Sequence, residues 1–475
     1  MERISYNKTK IVATIGPASN SKGMLQALIK EGVDVFRLNF SHGSHDDHQK
    51  VINFVRELNK EMGTSVALLQ DLQGPKIRVN DVQPGVELKP GQELIITTRQ
   101  MMGNNEIVST SYENLPNDVK VGDMVLIDDG KIELKVKEVR DTDVVTSVVY
   151  GGLLKPRKGI NLPYTKVTAP SLTDKDLEDL EFGLKNHVDW VALSFVRKAT
   201  DIEIIKDIIR RNKATTRVVA KIEKPEAIEN IDAIIEVTDA IMVARGDLGV
   251  EIWMEEVPMV QKMLIDKCNR AAKPVIVATQ MMESMIENPR PTRAETNDVA
   301  NAVMDGADAL MLSAETAAGK YPIEVIRSMV RTIGSVEKQG NIFYHFHDAD
   351  PKSPNYFNDS LILTACKLAK DVNAKAIVGM TLQGYSAYKA ASHRPNTNIF
   401  AFTGNKEIIN TMNLVWSTRA YYYDKASSTD ETIADVEAIL KRDGHVQSGD
   451  IFIVLASMPI NERGRTNTIK VNVVK

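Results

Sequence analysis

The fold of this 475-residue chain is decided by the stretch Arg217-Val-Val-Ala-Lys-Ile-Glu-Lys-Pro-Glu-Ala-Ile228. Its first six residues are rich in β-branched side chains and predict a strand, which the Lys224-Pro225 pair ends. Because side chains alternate between the two faces of a strand, Lys221 and Glu223 point to the same side. Such a pair is typical of a surface ion pair or of a polar site at a strand end, and this stretch alone fits both.

A further carboxylate favours the polar site. Asp247 closes the next apolar run, Ala240-Ile-Met-Val-Ala-Arg-Gly-Asp247. Two carboxylates at neighbouring strand ends can hold a hard divalent cation, Mg²⁺ or Mn²⁺, which keeps its other positions for water and substrate oxygens. A lysine beside that cation suits a strongly anionic substrate. The sequence therefore predicts a divalent-metal site at Glu223 and Asp247.

The composition is that of an ordinary globular protein, and the length predicts about three domains. Charged residues make up 26% of the chain and the net charge is −4 without a block of like charge, which argues against nucleic acid as a partner. No apolar run is long enough to span a bilayer and no signal-peptide pattern opens the chain, so we expect no membrane partner and a cytoplasmic location. Cys268 and Cys366 stand apart and are expected to be buried thiols.

Strand-like and helix-like segments alternate from Lys10 onward, with amphipathic helices such as 22–30, 45–60 and 199–212. Eight such units predict an α/β fold with a parallel (β/α)₈ TIM barrel, whose active site lies at the carboxyl ends of the strands. The strand candidates are Ile11–Ile15, Val33–Phe40, Val66–Leu72, Val188–Phe195, Val218–Glu223, Ala240–Ala244, Pro274–Thr279 and Ala307–Ser313.

Nearly every predicted barrel strand ends in a polar residue, which a purely structural barrel does not need. Because the carboxyl ends of the strands form one rim, we expect these side chains to meet at the active site. They are Arg37, Asn39, Ser41, Asp71, Lys221, Glu223, Asp247, Thr279, Ser313 and Glu315.

The unit after the third strand is interrupted by a stretch of different character. From Gly74 to about Thr168, short alternating β runs with turn signals such as Asp129-Gly130 replace the helical pattern. We predict a small all-β domain inserted at the rim, where it can act as a lid that excludes water. The predicted domains are the first part of the barrel (1–72), the lid (73–168), the second part of the barrel (169–340) and a C-terminal α/β regulatory domain (341–475).

Several long motifs, in this order, resemble those of the pyruvate kinases, and the resemblance covers essentially the whole chain. They are Phe36-Arg-Leu-Asn-Phe-Ser-His-Gly43, Val219-Ala-Lys-Ile-Glu223, Ala244-Arg-Gly-Asp-Leu-Gly-Val-Glu251, Ala278-Thr-Gln-Met-Met-Glu-Ser284, Pro291-Thr-Arg-Ala-Glu295 and Leu312-Ser-Ala-Glu-Thr316. The resemblance implies transfer of the phosphoryl group of phosphoenolpyruvate to ADP, which gives pyruvate and ATP in the last step of glycolysis. It also implies a homotetramer under allosteric control.

The same resemblance assigns roles to residues of the predicted rim. Glu223 and Asp247 would hold Mg²⁺, Lys221 and Arg37 would neutralise the phosphoryl oxygens, and Thr279 would lie on the side from which the enolate is protonated. This suits phosphoryl transfer, which is mostly positioning and charge neutralisation. The resemblance implies Lys221, Arg37, Thr279 and Ser313 as catalytic, Arg37, Lys221, Ala244, Arg245, Gly246, Asp247 and Thr279 as substrate-binding, and Asn39, Phe40, Ser41, His42, Arg78 and Lys158 as nucleotide-binding.

One departure from the family's commonest pattern predicts a change in cofactor. Many pyruvate kinases require K⁺ and carry Asp-Thr-Lys-Gly-Pro-Glu-Ile-Arg at the lid hinge, where this chain reads Asp71-Leu-Gln-Gly-Pro-Lys-Ile-Arg78. Lys76 replaces the glutamate, and its ammonium can supply the positive potential that K⁺ provides elsewhere. We therefore expect a bacterial-type branch that does not require K⁺. The family's monovalent-cation positions are Asn39, Ser41, Asp71 and Leu72.

A loop of the C-terminal region resembles the family's effector phosphate loop. It reads Thr381-Leu-Gln-Gly-Tyr-Ser386 and leads into a predicted helix, and its candidate contacts are Thr381, Gln383, Gly384 and Ser386. Gln383 stands where many relatives have serine, so we expect a phosphorylated effector of the monophosphate kind, such as a sugar monophosphate or AMP. Asn461–Asn467 is a candidate second, basic loop.

Two other functions fit parts of the sequence. Another Mg²⁺-enolate barrel, such as an aldolase or lyase acting on pyruvate, would use the same carboxylates but has no need for Arg37, Lys158 and an ADP-covering lid. A catalytically inactive phosphosugar sensor, in which the C-terminal domain does the work, would show loss of the polar residues at the strand ends. None of those residues is lost here.

Three histidines beside the rim, His42, His45 and His48, have a spacing that resembles a metal site. However, Ser44 and Asp47 form the pattern of a helix N-terminal capping box. We therefore interpret His45 and His48 as solvated helix residues and expect His42 alone to lie near ADP.

Overall fold

The structure is a computed structural model, and it describes residues 7–340, 342–425, 428–458 and 465–475. The first three strands are parallel and alternate with two amphipathic helices, which begin after Ser21 and Ser44. Each of these serines accepts a backbone N–H and so satisfies the first turn of its helix. The elements are β1 (Lys10–Ile15), α1 (Lys22–Glu31), β2 (Val35–Asn39), α2 (His45–Met62) and β3 (Ala67–Asp71).

The insertion after β3 is built mainly of short antiparallel strands. Its elements are β4 (Glu87–Leu88), β5 (Glu93–Thr97), β6 (Ile107–Ser109), α3 (Leu115–Asp118), β7 (Met124–Ile127), β8 (Ile132–Val139), β9 (Asp143–Tyr150), β10 (Gly152–Leu153) and β11 (Ile160–Asn161). Six strands form one curled sheet in the order β11-β7-β8-β9-β5-β6, and β4 pairs with β10. Asp129 and Gly130 turn the β7–β8 hairpin with positive φ values of 56° and 83°, which confirms the predicted turn.

The chain then completes the barrel. The elements are α4 (Asp174–Lys185), β12 (Trp190–Leu193), α5 (Ala199–Arg211), β13 (Arg217–Ile222), α6 (Pro225–Glu229), α7 (Ile231–Val237), β14 (Ala240–Ala244), α8 (Arg245–Glu251), α9 (Val257–Arg270), β15 (Val275–Ala278), α10 (Arg293–Asp305), β16 (Ala309–Leu312), α11 (Ala314–Ala317) and α12 (Pro322–Glu337). The parallel strands close in the order β1-β16-β15-β14-β13-β12-β3-β2. All eight predicted strands are confirmed, with small shifts at their ends.

The inward-facing residues of the barrel fill it with apolar side chains. Trp190, Val219 and Met242 belong to this fully buried interior cluster. Alternation along β13 then puts Lys221, two residues after Val219, in the same inward row but at the open end. The strand register therefore delivers a charged side chain to the rim.

The C-terminal part forms a second α/β layer. Its elements are α13 (Tyr356–Asp371), β17 (Ala376–Met380), α14 (Tyr385–Ser392), β18 (Asn398–Thr403), β19 (Thr418–Tyr422), α15 (Thr429–Arg442), β20 (Ile451–Ala456) and β21 (Thr468–Val473). The sheet order is β19-β18-β17-β20-β21, with β21 antiparallel at the edge. Strands β19 and β21 are not among those predicted from the sequence. Strand β19 has no regular apolar alternation, whereas the alternation of Ile469, Val471 and Val473 in β21 is a strand signal that the prediction overlooked.

A buried arginine fastens this layer to the barrel. Arg394 is 1% exposed, and its Nη2 lies 2.9 Å from Asp308 Oδ2 and 2.7 Å from Asn269 Oδ1. Both cysteines are free and buried, as predicted. In the described part of the chain, no helix has the length and apolar character needed to cross a bilayer.

Candidate active site

The rim of the barrel opens into a cavity of about 260 Å³. The ends of β2, β3, β12 and β13 and the first turn of α8 contribute to it, because the carboxyl ends of parallel strands lie at one end of a barrel. Most of its lining was predicted from the sequence, but Gln73, Ser194 and Phe195 were not. The lining residues are Arg37, Asn39, Ser41, His42, Asp71, Leu72, Gln73, Lys76, Arg78, Ser194, Phe195, Lys221, Glu223 and Asp247.

Lys221 lies at the centre of the charged cluster in this cavity. Its Nζ is 2.9 Å from Glu223 Oε1 and 3.2 Å from Asp71 Oδ1, and it donates to Ser194 Oγ at 2.7 Å. Burial by itself would lower the pKa of Lys221, but the two carboxylates outweigh it and raise the pKa above its usual range. Lys221 is therefore a fixed positive charge and a poor proton donor.

Asp71 is the buried anchor of the same cluster, with a side chain that is only 1% exposed. Arg37 donates from Nε to Asp71 Oδ2 at 2.7 Å and from Nη1 to Thr14 Oγ1 at 3.0 Å. Burial would raise the pKa of Asp71, but Lys221 and Arg37 together lower it below its usual value. One carboxylate thus holds two cations in position, a role that the sequence did not reveal.

Glu223 and Asp247, the predicted metal ligands, line this cavity together. Glu223 Oε2 accepts the backbone N–H of Phe195 at 2.7 Å, and Asp247 Oδ1 lies 3.7 Å from Lys76 Nζ. Burial raises the pKa of Glu223 and the charge of Asp247 raises it further, against the opposing effect of Lys221. A divalent cation would relieve the repulsion between the two carboxylates, and their oxygens suit Mg²⁺. The residues therefore fit the metal.

The segment Ala244–Asp247 joins β14 directly to α8 at the rim. Thr279 Oγ1 accepts the Gly246 N–H at 2.7 Å and donates to the Ala278 carbonyl at 2.6 Å. Thr279 has a φ of 70°, a left-handed conformation that costs energy for a β-branched residue and often marks a functional site. Neither Thr279 nor Ser313 is among the described residues that line the 260 Å³ cavity.

The Arg245 side chain is turned into the protein. It donates to the Thr279 carbonyl at 2.6 Å and pairs with Asp298 Oδ1 at 2.7 Å. Arg245 thus braces the loop that carries Thr279, and it offers a substrate its backbone rather than its guanidinium.

A larger cavity of about 830 Å³ adjoins the first one and extends to the lid. The two cavities share Ser41, His42, Gln73 and Arg78 and are therefore continuous. The lid contributes Val79, Asn80, Asp81, Gln100, Met101, Met102, Ser109, Ser111 and Arg157 to the larger one. Its size is within the range of small-molecule sites.

Lys158 and Phe40 stand apart from both cavities. Lys158 Nζ lies 2.7 Å from Asp128 Oδ1 on the lid hairpin. Phe40 is 2% exposed and stacks on His48 with ring centroids 4.1 Å apart, so its ring cannot reach a nucleotide. Its backbone N–H donates to the Asp71 carbonyl at 3.0 Å, and its carbonyl accepts from Lys175 Nζ at 2.8 Å.

The interpretation of His48 as a solvated residue is wrong. His48 is 9% exposed, and its Nε2 lies 3.0 Å from the His42 carbonyl. It is buried because the turn at Gly43 brings the His42 loop back against the first helical turn of α2. The predicted capping box of Ser44 and Asp47 is present, and no metal-binding group of three or more His, Cys, Asp or Glu occurs in the described residues.

The predicted effector loop lies against the barrel. Gln383 accepts from Arg217 Nη2 through its carbonyl at 3.0 Å and lines a cavity of about 810 Å³ between the two layers. Thr381 Oγ1 accepts the Gly384 N–H at 2.9 Å, and Ser386 is 2% exposed. Of the candidate second loop, residues 461–464 lie outside the described part of the chain.

Fold and site together define a class of protein: a lidded (β/α)₈ barrel whose charged rim, with Lys221 between carboxylates, adjoins a cavity large enough for a nucleotide. Comparison with known proteins narrows this class. The family model of the pyruvate kinase barrel domain matches residues 6–326, and that of the pyruvate kinase alpha/beta domain matches residues 359–472. The chain belongs to the pyruvate kinase family, whose members are phosphotransferases (EC 2.7.1.40).

The chain is similar to these proteins over nearly its whole length. Pyruvate kinases of Staphylococcus aureus strains MRSA252 and USA300 are each 43% identical to it over 470 residues, which is 98% of this chain and 80% of theirs. A crystal structure of a pyruvate kinase from Cryptosporidium parvum matches with a TM-score of 0.93 and 38% identity, over 99% of this chain and 96% of that one.

Proposed function

We propose that this chain transfers the phosphoryl group of phosphoenolpyruvate to ADP, which gives pyruvate and ATP in the last step of glycolysis. The observation that carries the proposal is Lys221, held between Asp71 and Glu223 in a cavity that continues into a nucleotide-sized one. A migrating phosphoryl group needs fixed positive charge next to a metal site, and Lys221 lies beside Glu223, which would hold the metal together with Asp247. Membership of the pyruvate kinase family supports the same reaction.

Glu223 and Asp247 are the residues that would hold Mg²⁺ or Mn²⁺. When bound, the metal supplies positive charge to the substrate oxygens and to the phosphoryl group as it moves. Lys221 and Arg37 add fixed positive charge from the protein itself, in a site where little reorganisation is needed. Backbone N–H groups between Ala244 and Asp247 would bind the substrate carboxylate, and the Gly246 N–H would leave Thr279 Oγ1, to which it donates here, in order to do so.

The enolate that remains after transfer takes up a proton on carbon. Lys221 stabilises its negative charge but does not supply the proton, because its raised pKa makes the ammonium a weak acid. We assign the protonation side to Thr279, whose strained backbone holds its hydroxyl beside Gly246, with Ser313 in the relay.

ADP would occupy the larger cavity, with its phosphates toward Ser41, His42 and Arg78, which also line the smaller one. Asn39 and the Phe40 backbone complete the barrel side. Lys158 would join the phosphates on lid closure by leaving Asp128. These are the groups that would hold the nucleotide in line with the metal site.

Lys76 replaces K⁺ in this proposal. Its Nζ is 3.7 Å from Asp247 Oδ1, and it lines the same cavity as Asn39, Ser41 and Asp71. An ammonium at this point would repel a second cation in a partly desolvated site. We infer that the enzyme works with Mg²⁺ alone.

A phosphorylated effector of the monophosphate kind is proposed for the C-terminal layer. The candidate contacts are Thr381, Gln383, Gly384 and Ser386. Arg217, which bonds to the Gln383 carbonyl, is the first residue of β13 and so connects this loop to the strand that carries Lys221. An effector that moves Gln383 would thus act on the strand of the active site. Activation by fructose 1,6-bisphosphate alone, with sugar monophosphates and AMP silent, would overturn this assignment.

We also propose that the enzyme is a cytoplasmic homotetramer. Each chain would consist of the first part of the barrel (1–72), the lid (73–168), the second part of the barrel (169–340) and the C-terminal α/β domain (341–475). The family supports the location, and the exposed apolar side chains of Val471 and Val473 on the edge strand β21 support contact between copies. Light scattering on the purified protein measures the copy number.

A coupled assay tests the proposed reaction. Purified enzyme with phosphoenolpyruvate, ADP and Mg²⁺ is expected to form pyruvate and ATP in equal amounts. An aldolase or lyase acting on pyruvate would turn over without nucleotide, and an inactive sensor would form neither product.

A further inference from the structure

A buried polar bridge joins the lid to the barrel at Asn161, the last residue of β11. Asn161 is 7% exposed, and its Nδ2 donates to Glu251 Oε1 at 2.8 Å. The same oxygen lies 2.7 Å from Lys224 Nζ, and the side chains of Lys224 and Glu251 are 10% and 1% exposed. We call Asn161, Lys224 and Glu251 the hinge bridge.

The hinge bridge connects three segments that carry functional groups. Lys224 directly follows Glu223, and Glu251 is the last residue of α8, whose first turn holds Asp247. Asn161 lies three residues after Lys158 on the lid. The bridge thus links both metal-binding carboxylates to the lid segment that would reach the nucleotide.

Packing around the bridge is incomplete. A cavity of about 30 Å³ lies beside it, lined by Ile77 and Ile160 of the lid and by Phe195 and Arg197 of the barrel. Glu251 Oε2 is buried and has no hydrogen-bond partner within the described chain. Because the joint is not filled by side chains, the directional hydrogen bond from Asn161 sets the position of the lid here.

Other contacts hold the ends of the hinge rather than the lid itself. The Gly74 N–H donates to Asp176 Oδ1 at 3.0 Å, and Arg197 donates to the carbonyls of Val167 and Ala169. These contacts fasten the two segments that connect the lid to the barrel. Asn161 lies within the lid sheet, paired with β7, so its contact controls the angle of the sheet as a body.

We propose that Asn161 is a positioning residue, which fixes the lid angle through Glu251 so that Arg78, on the wall shared by the two cavities, meets the phosphates of ADP. The proposal rests on the proposed function for its kinetic readout. Loss of the bond would let the lid tilt, and misplaced groups bind the nucleotide poorly. The groups proposed to contact phosphoenolpyruvate, among them Arg37, Lys221 and the first turn of α8, lie on the barrel and would be unaffected.

The kinetic test compares Asn161→Ala with Asn105→Ala, which removes an exposed amide elsewhere on the lid. Asn161→Ala is expected to raise KM for ADP about tenfold and to leave KM for phosphoenolpyruvate within about twofold. The Asn105→Ala control is expected to match the wild type. A purely structural role would change neither KM selectively, and equal changes in both KM values would overturn the proposal.

A distance measurement tests the lid independently of turnover. Spin labels at Lys137→Cys on the lid and Glu203→Cys on α5 are exposed, whereas both native cysteines are buried. With MgADP bound, we expect one narrow distance distribution in the labelled parent and a broad one after Asn161→Ala. An unchanged distance distribution after Asn161→Ala would overturn the proposal, whether or not the labelled parent forms ATP. Failure of the labelled parent to form ATP would contradict only the proposed function.

A conservative variant keeps the test decisive if Asn161→Ala does not fold. Glu251→Gln retains an oxygen that can accept from Asn161 while it removes the charge paired with Lys224. It is expected to lower the melting temperature but to keep KM for ADP within about twofold of the wild type. A tenfold rise in that KM would show that the ion pair, and not the hydrogen bond from Asn161, sets the lid.

Discussion

The barrel rim and the effector loop both carry polar side chains that were predicted from the sequence to bind ligands, but these side chains are held differently in the two regions. At the rim, Lys221 and Arg37 are held by Asp71 with their charges directed into one cavity. In the effector loop, the Thr381 hydroxyl is taken by the Gly384 N–H, and the buried Ser386 hydroxyl has no partner in the described chain. The rim is therefore assembled before ligand binds, whereas the loop must rearrange to bind a phosphate.

The strongest test of a preassembled rim is Lys221→Met. Its charge acts on the phosphoryl group in transit, so we expect kcat to fall at least about a hundredfold, as when one oxyanion stabiliser is removed. The dissociation constant of phosphoenolpyruvate, measured by fluorescence titration, should change much less. Lys60→Met on the exposed face of α2 serves as the control. Normal turnover with weakened substrate binding would make Lys221 a binding residue.

Asp71→Asn sharpens the comparison, because it removes the anchoring charge without replacing either of the two cationic residues. The amide keeps the shape but not the charge that fixes Arg37 and Lys221, so we expect kcat to fall about 10- to 100-fold. Steady-state kinetics and a melting curve measure the two consequences separately. If turnover is unchanged, the rim does not depend on this ion-paired cluster.

A smaller effect is expected at the edge of the rim, where we propose that Lys76 takes the place of K⁺. The wild type should be fully active with Mg²⁺ when tetramethylammonium replaces K⁺ at fixed ionic strength. Lys76→Glu should lower the rate about tenfold in that buffer, with recovery on addition of K⁺. Lys89→Glu makes the same charge change at an exposed lid turn and should show no K⁺ response. A many-fold activation of the wild type by K⁺ would show that Lys76 does not replace the ion.

The smallest effect belongs to the effector loop. Arg217→Met releases the Gln383 carbonyl, so rearrangement of the loop should cost less and the half-activating concentration of a sugar monophosphate should fall about threefold. Initial rates over an effector series measure it, with Arg211→Met on α5 as the control. An unchanged concentration would mean that the loop does not need to leave the barrel.

Much of the barrel could be predicted because its information is local. β13 is rich in β-branched residues and therefore predicts a strand, so the common side of Lys221 and Glu223 followed from the strand period alone. The hairpin turn at Asp129-Gly130 followed from the left-handed preference of those residues. Strand β19 lacks regular apolar alternation and is defined by its pairing with β18, whereas β21 alternates Ile469, Val471 and Val473 with polar residues and could have been found from the sequence.

The rest of the site depends on contacts between distant segments. That Asp71 would hold both Arg37 and Lys221 is set by the strand order β13-β12-β3-β2, which no single stretch encodes. Likewise, the burial of His48 depends on how the His42 loop folds back over α2. The local sequence pattern predicted the helix cap at Ser44 and Asp47 correctly, but it could not predict that His48 is buried.

Phosphoryl transfer at the rim is tested most directly by ³¹P nuclear magnetic resonance of a reaction with phosphoenolpyruvate, ADP and Mg²⁺, run with K⁺ and with tetramethylammonium. We expect the phosphoenolpyruvate signal to disappear as the γ-phosphoryl signal of ATP grows by an equal amount in both buffers. ATP in the K⁺ buffer alone would contradict only the role of Lys76. Release of inorganic phosphate without ATP, or no loss of phosphoenolpyruvate in either buffer, would contradict the phosphoryl transfer itself.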